Sequence, residues 1–213
     1  MTLSWIPNAL TLARCAFAGL ILYATAQAGA AADAAFAAGA PEDFNRLAGL
    51  EQLWRQFALL SFIAGAFTDF GDGWLARKLN AQSRFGVWLD PIADKLLIAA
   101  ALIALCLTIG GWLIIPPACA IIARDAGMTL YRATPRGRAA VAVSSLAKWK
   151  TALEMLAIAG LLLPPALAPM AQTPPDDGPG GALIVYGFVA LLWMAAALSL
   201  ATGAAYLRGS SKG

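Results

Sequence analysis

About six runs of roughly 20 mostly apolar residues leave this chain a short menu of folds. A helix of that length crosses the hydrocarbon core of a bilayer, because it pairs every backbone N–H and C=O within itself. The composition agrees. Of 213 residues, 60% are hydrophobic and only 13% are charged, whereas an ordinary soluble domain is about 25% charged. The expectation is an all-α polytopic membrane protein, a single domain over residues 1–213 with six transmembrane helices.

The runs place those helices near 9–27, 52–79, 84–108, 112–131, 144–163 and 182–207. Between the first two lies an Ala- and Gly-rich stretch, 28–51, with Pro41, Glu42, Asp43 and Glu51. It reads as a loop carrying at most a short surface helix. Residues 80–83 form a tight polar turn, and Gly110-Gly111 break the third helix. Pro116 and Pro117 are tolerated near the start of the fourth. A basic connection, 132–143, and a Pro/Gly-rich loop, 164–181, join the remaining helices. Trp5 suits a membrane interface, and Asn8 or Thr11 can cap the first helix. Arg14 falls inside that helix, where it either snorkels to the surface or faces the interior. Ala24-Thr25-Ala26 resembles a signal-peptide cleavage site. No Lys or Arg precedes the apolar run, however, so a retained first helix is expected.

Six crossings put both termini on one side. The loops and ends of that side carry Lys78, Arg84, Arg136, Arg138, Arg208 and Lys212, with Arg77 and Arg132 at helix ends. The opposite loops carry Asp33, Glu42, Asp43, Glu51, Asp176 and Asp177 against Arg46, with Arg55 at a helix start. The positive-inside rule then makes both termini cytoplasmic. The same rule places the 80–83 turn and the 132–143 connection in the cytoplasm.

The chain has no histidine, which excludes His-based triads and His-ligated zinc. Cys15, Cys106 and Cys119 lie in apolar runs without a C-x-x-C pair and read as small buried hydrophobes. Nothing calls for a nucleic-acid partner.

Chemistry is concentrated between Thr68 and Lys95. Asp69 and Asp72 are three residues apart, and Asp90 and Asp94 four apart, so each pair shares a helix face. The turn at 80–83 makes the two helices antiparallel neighbours, and the four carboxylates then converge. Such a cluster beside a membrane needs neutralisation. Oxygen ligands of this kind suit Mg²⁺ or Mn²⁺, and four carboxylates can hold two ions. Gly71, Gly73 and Ala76 leave room for a ligand, and Arg77 can meet phosphate. The opposing reading is simple ion pairing with Arg77, Lys78, Arg84 and Lys95 at a wet membrane surface.

The spacing D-x2-D-G-x2-A-R-x8-G-x3-D-x3-D, here Asp69, Asp72-Gly73, Ala76-Arg77, Gly86, Asp90 and Asp94, resembles the signature of the CDP-alcohol phosphatidyltransferases. All eight fixed positions match, and six helices with the motif on the second and third also resemble that family. The resemblance implies transfer of a phosphatidyl group from a CDP-linked lipid, CDP-diacylglycerol, to an alcohol, with release of CMP. It implies that Asp69, Asp72, Asp90 and Asp94 hold a metal pair and that Asp94 is the base. It also implies that Gly73, Ala76, Arg77 and Gly86 surround the nucleotide, and that the protein is a homodimer among membrane lipids.

Pro7-Asn8-Ala9-Leu10-Thr11 with Arg14, Ile122-Ala123-Arg124, Val141 to Ser144 and Lys148 to Thr151 are similar to the phosphatidylglycerophosphate synthases. That branch uses glycerol 3-phosphate, whose phosphate Arg124, Arg132, Lys148 and Lys150 could hold. Asp125 stands where that branch has Glu. The Arg124-Asp125 pair, with Tyr131-Arg132, also resembles cardiolipin synthases, which use phosphatidylglycerol. A cation transporter would place its acids along a path through several helices. Here they cluster on two helices at one face. A structural membrane protein without chemistry is the third reading.

Overall fold

The computed structural model describes residues 5–79, 84–134, 145–167 and 179–210, with side chains described over 9–68, 92–131, 134, 149–167 and 183–204. Among the described residues there are six helices and no strand. They are α1 (Trp5–Ala37), α2 (Pro41–Leu79), α3 (Arg84–Thr108), α4 (Gly111–Ala133), α5 (Ser145–Leu167) and α6 (Pro179–Ser210). Four stretches are long and apolar enough to cross a membrane: Ala9–Ala37, Gly111–Tyr131, Trp149–Leu167 and Leu183–Ala204. By length and composition the chain is an integral membrane protein. Its outer surface fits that reading. Leu12, Phe67, Trp112, Leu130 and Leu183 are all exposed, a spread of apolar surface that lipid tolerates and water does not.

The expected loop at 28–51 is helix instead. α1 continues to Ala37 and α2 begins at Pro41, so the two form a long hairpin. The reason is local. Alanine is the best helix former, and Ala24, Ala28, Ala31 and Ala35 fall on one buried face opposite the buried Ala48 of α2. Small side chains at that spacing let two backbones approach closely. Pro41 needs no hydrogen-bonded N–H at the first helical position, and Glu42 and Asp43 favour the positive end of the helix dipole. Glu51 and Arg55, assigned to a loop and a helix start by sequence, are an ion pair at 2.8 Å within α2, with Glu51 fully buried. Tyr23 meets Trp54 edge to face, 5.7 Å between ring centres.

α3 lies centrally, packed against α1, α2, α4 and α5, while α6 closes on α4 and α5. Leu97, Ala101 and Leu105 of α3 meet a core built from Ile21, Phe62, Ile121, Ile158, Leu161 and Leu192. The break between α3 and α4 is where the sequence puts it. Gly110 and Gly111 have φ of 63° and 73°, a left-handed conformation that other residues adopt only under strain.

One proline and one helix end leave acceptors that other helices use. Pro117 has no N–H for the carbonyl of Leu113, four residues earlier. The indole Nε1 of Trp193 on α6 donates to that carbonyl at 3.0 Å. α5 runs through Pro164 and Pro165 to Leu167, four residues beyond the expected end. Gln52 Nε2 of α2 donates to the terminal Leu167 carbonyl at 2.8 Å. Trp193→Phe keeps the ring and removes only the donor, so thermal unfolding in detergent should show a loss of about 1 kcal/mol. The turn at 80–83 and most of the 132–143 and 164–181 connections lie outside the described residues.

Candidate active site

One carboxylate gathers charge from three helices. Asp125 sits on α4 within an apolar stretch, 6% exposed at its side chain. Its Oδ2 is 2.7 Å from Lys95 Nζ of α3. Its Oδ1 accepts from Lys150 Nζ of α5 at 2.9 Å and from its neighbour Arg124 at 2.8 Å. Lys150 is buried and also lies 3.0 Å from Oε1 of Glu154, one turn along α5, whose side chain is fully buried. Arg124 reaches across to α6, where Nη2 donates to Thr202 Oγ1 at 3.1 Å. Thr202 turns its own hydroxyl back to the Leu198 carbonyl at 2.8 Å.

Asp94 adjoins this network. Its Oδ2 is 3.6 Å from Lys95 Nζ, too long for a direct hydrogen bond. Among the described residues its Oδ1 is buried and has no hydrogen-bond donor. Three acids, Asp94, Asp125 and Glu154, thus stand against three bases, Lys95, Arg124 and Lys150. Among the described residues the acids and bases are equal in number, and ionisable groups among apolar helices persist only when paired. A cavity of about 370 Å³ between α3 and α4 is lined by Lys95 and Asp125 at one part and by Leu96, Ile122 and Leu130 elsewhere.

Of the residues singled out from sequence, Asp94, Arg124 and Lys150 come together here. Asp69, Asp72, Gly73, Ala76 and Arg77 fall on the last turns of α2, and Gly86 and Asp90 on the first turns of α3. Arg132 lies in the last turn of α4 and Lys148 in the first turn of α5. The side chains of these nine residues are outside the described set. Among the described residues no three His, Cys, Asp or Glu side chains cluster to hold a metal ion. Asp94 still fits such a ligand, since a buried carboxylate oxygen without a donor is under-satisfied and suits a hard cation.

Sequence reasoning passed over the hub. In sequence Lys95 stands out only as an ion-pair partner and Asp125 as a departure from a motif, while Glu154 belongs to no motif. A signal was present. Lys150 and Glu154 are four apart within an apolar run, the spacing of a helical ion pair. The roles of Thr202 and Gly203 had no sequence signal. A β-carbon on Gly203 would stand 3.2 Å from Arg124 Nε, so glycine there makes room for the guanidinium.

A family model described as CDP-alcohol phosphatidyltransferase matches residues 4–203. Relatives bear related names. A CDP-diacylglycerol–glycerol-3-phosphate 3-phosphatidyltransferase of Arabidopsis thaliana is 46% identical over 123 residues, 51% of this chain and 53% of the relative. A cardiolipin synthase (CMP-forming) of Oryza sativa subsp. japonica is 39% identical over 160 residues, 69% of this chain and 46% of its own. The CDP-diacylglycerol–glycerol-3-phosphate 3-phosphatidyltransferase of Escherichia coli (strain K12) is 36% identical over 158 residues, 72% of this chain and 79% of its own. The match spans about half the length of the plant relatives.

Proposed function

The chain belongs to the CDP-alcohol phosphatidyltransferase family, and from that premise we propose that it transfers the phosphatidyl group of CDP-diacylglycerol to glycerol 3-phosphate, forming phosphatidylglycerophosphate and CMP. The observation that carries the reading is the buried Oδ1 of Asp94, without a donor among the described residues, beside the ion-pair network of Lys95, Arg124 and Lys150. Family members use divalent metal ions. In this chain we assign Mg²⁺ or Mn²⁺, as a pair, to Asp69, Asp72, Asp90 and Asp94. Held by those carboxylates, such ions would supply positive charge to the diphosphate and the CMP leaving group.

The chain's own residues do the rest. Asp94 accepts the proton of the glycerol hydroxyl as that oxygen attacks the lipid-side phosphorus. Gly73, Ala76, Arg77 and Gly86 surround the nucleotide. To the acceptor phosphate we assign Arg124, Arg132, Lys148 and Lys150, the last held between Asp125 and Glu154. Such a transfer needs positioning and charge neutralisation more than covalent help from the protein. We further propose one domain over 1–213 with six spans, cytoplasmic termini, a site facing the cytoplasm of the bacterial inner membrane, and a homodimeric state.

A second reading has its own support. Asp125 and the 39% identity to a cardiolipin synthase favour phosphatidylglycerol as the alternative acceptor. Purified protein given CDP-diacylglycerol, Mg²⁺ or Mn²⁺ and each acceptor in turn distinguishes the two. The expected product is phosphatidylglycerophosphate; its absence alongside cardiolipin would replace the first reading by the second. Asp69→Ala, Asp72→Ala and Asp90→Ala should each abolish CMP release, as should a chelator. Full activity in any of these would sink the metal assignment. Gly203→Val should push Arg124 off Thr202 and raise the KM for glycerol 3-phosphate by about tenfold. The KM for CDP-diacylglycerol should hold steady.

A further inference from the structure

Lys95 has two carboxylates within reach and sits closer to one of them. Its ammonium is 2.7 Å from Asp125 Oδ2 and 3.6 Å from Asp94 Oδ2. We propose that Asp125 is a positioning residue whose task is to hold Lys95 off Asp94, keeping the Asp94 carboxylate open to divalent metal and acceptor.

The geometry supports competition rather than simple packing. Lys95 follows Asp94 directly in the chain, and its ammonium is already within one short movement of a tight pair. Such a pair would occupy the carboxylate that the chemistry needs. Asp125 prevents it from a different helix. Its anchorage is firm, because Lys150 and Arg124 fix Oδ1 from α5 and from its own helix, leaving Oδ2 directed to Lys95. Each of those two cations has another partner, Glu154 for Lys150 and Thr202 for Arg124. Among the described residues, Asp94 at 3.6 Å is the nearest carboxylate left to Lys95 when Asp125 is neutralised; Glu154 attracts it from farther off and is already held by Lys150. Its side chain is 31% exposed, so it has room to swing. Attraction between unit charges rises as separation falls, and more so in a medium of low dielectric. Removing the Asp125 charge therefore collapses Lys95 onto Asp94.

This inference rests on the assignment of Asp94 to the metal and catalytic set. It makes Asp125 an outer partner of that set, and loss of such partners weakens metal binding or activity by about 10–100-fold.

The test is Mn²⁺ binding to the full-length protein in detergent, followed by electron paramagnetic resonance of free Mn²⁺, with no lipid or acceptor present. Asp125→Asn should weaken Mn²⁺ binding by about 10–100-fold. Asp125→Glu keeps the counter-charge and should bind within about threefold of the parent. The double variant Asp125→Asn with Lys95→Gln removes both charges and should regain most of the lost affinity, which a merely structural role for Asp125 would not allow. Lys95→Gln alone should bind at least as tightly as the parent, and it answers the question should Asp125→Asn fail to fold. Parent-like binding by Asp125→Asn, no recovery in the double variant, or weaker binding by Lys95→Gln would each overturn the proposal. If the parent itself binds no Mn²⁺, the metal assignment falls and takes this inference with it. If the parent binds Mn²⁺ but transfers nothing to any alcohol, only the reading of the reaction fails.

Discussion

Asp94→Asn should lower the rate of CMP release by about 10²–10⁴-fold, the range that a positioned general base contributes. The substitution keeps the shape of the side chain and an oxygen at the Oδ1 position. What it removes is the charge, and with it the capacity to take the proton of the attacking hydroxyl. Under the proposed function, binding of CDP-diacylglycerol draws on Gly73, Ala76, Arg77 and Gly86, so its KM should change by no more than about threefold. Asp94→Ala removes the oxygen too and should weaken metal binding as well. Steady-state kinetics with both substrates varied, alongside binding of the CDP-lipid at equilibrium, separates the two effects. An Asp94→Asn enzyme with near-parent turnover would remove Asp94 from the role of base.

Much of this was legible in the sequence, and the parts that were not have physical causes. The apolar runs announced an all-helical membrane chain because their length matches a bilayer. The Gly110-Gly111 break was readable because only glycine sits easily at φ of 63° and 73°. Residues 28–51 misled for the opposite reason. Ala- and Gly-rich composition resembles a loop, whereas alanine at helical spacing builds a close hairpin that shows only when Ala28, Ala31 and Ala35 meet α2. In the candidate site, acid spacing singled out Asp94 and residue type singled out Arg124 and Lys150, residues that the fold brings close to one another. Their common partner was invisible, since Lys95, Asp125 and Lys150 are far apart in sequence and meet only through the packing of α3, α4 and α5. Thr202 and Gly203 illustrate the same limit, as neither carries chemistry of its own.

The largest effect on stability should come from Lys150→Met, at about 3–5 kcal/mol, because it leaves the carboxylate of Glu154 buried without its cation. Lys150 is 3% exposed and Glu154 not at all, so water cannot replace the lost partner. Asp125 is less affected, since Lys95 and Arg124 remain on it. Glu154→Gln should be milder, because Lys150 keeps Asp125. The double variant Lys150→Met with Glu154→Leu exchanges the pair for apolar bulk and should recover most of the lost stability, as buried pairs often do when replaced together. Thermal unfolding of the three variants in one detergent measures this directly, and the coupling between the two sites follows from the double-mutant cycle. Activity of the double variant then tells what the pair is for. Recovered stability with an intact KM for glycerol 3-phosphate would make Lys150 a pure clamp. Recovered stability with a raised KM would mean that the acceptor phosphate also feels the Lys150 charge, which is the outcome expected because Lys150 and Arg124 share Asp125 Oδ1.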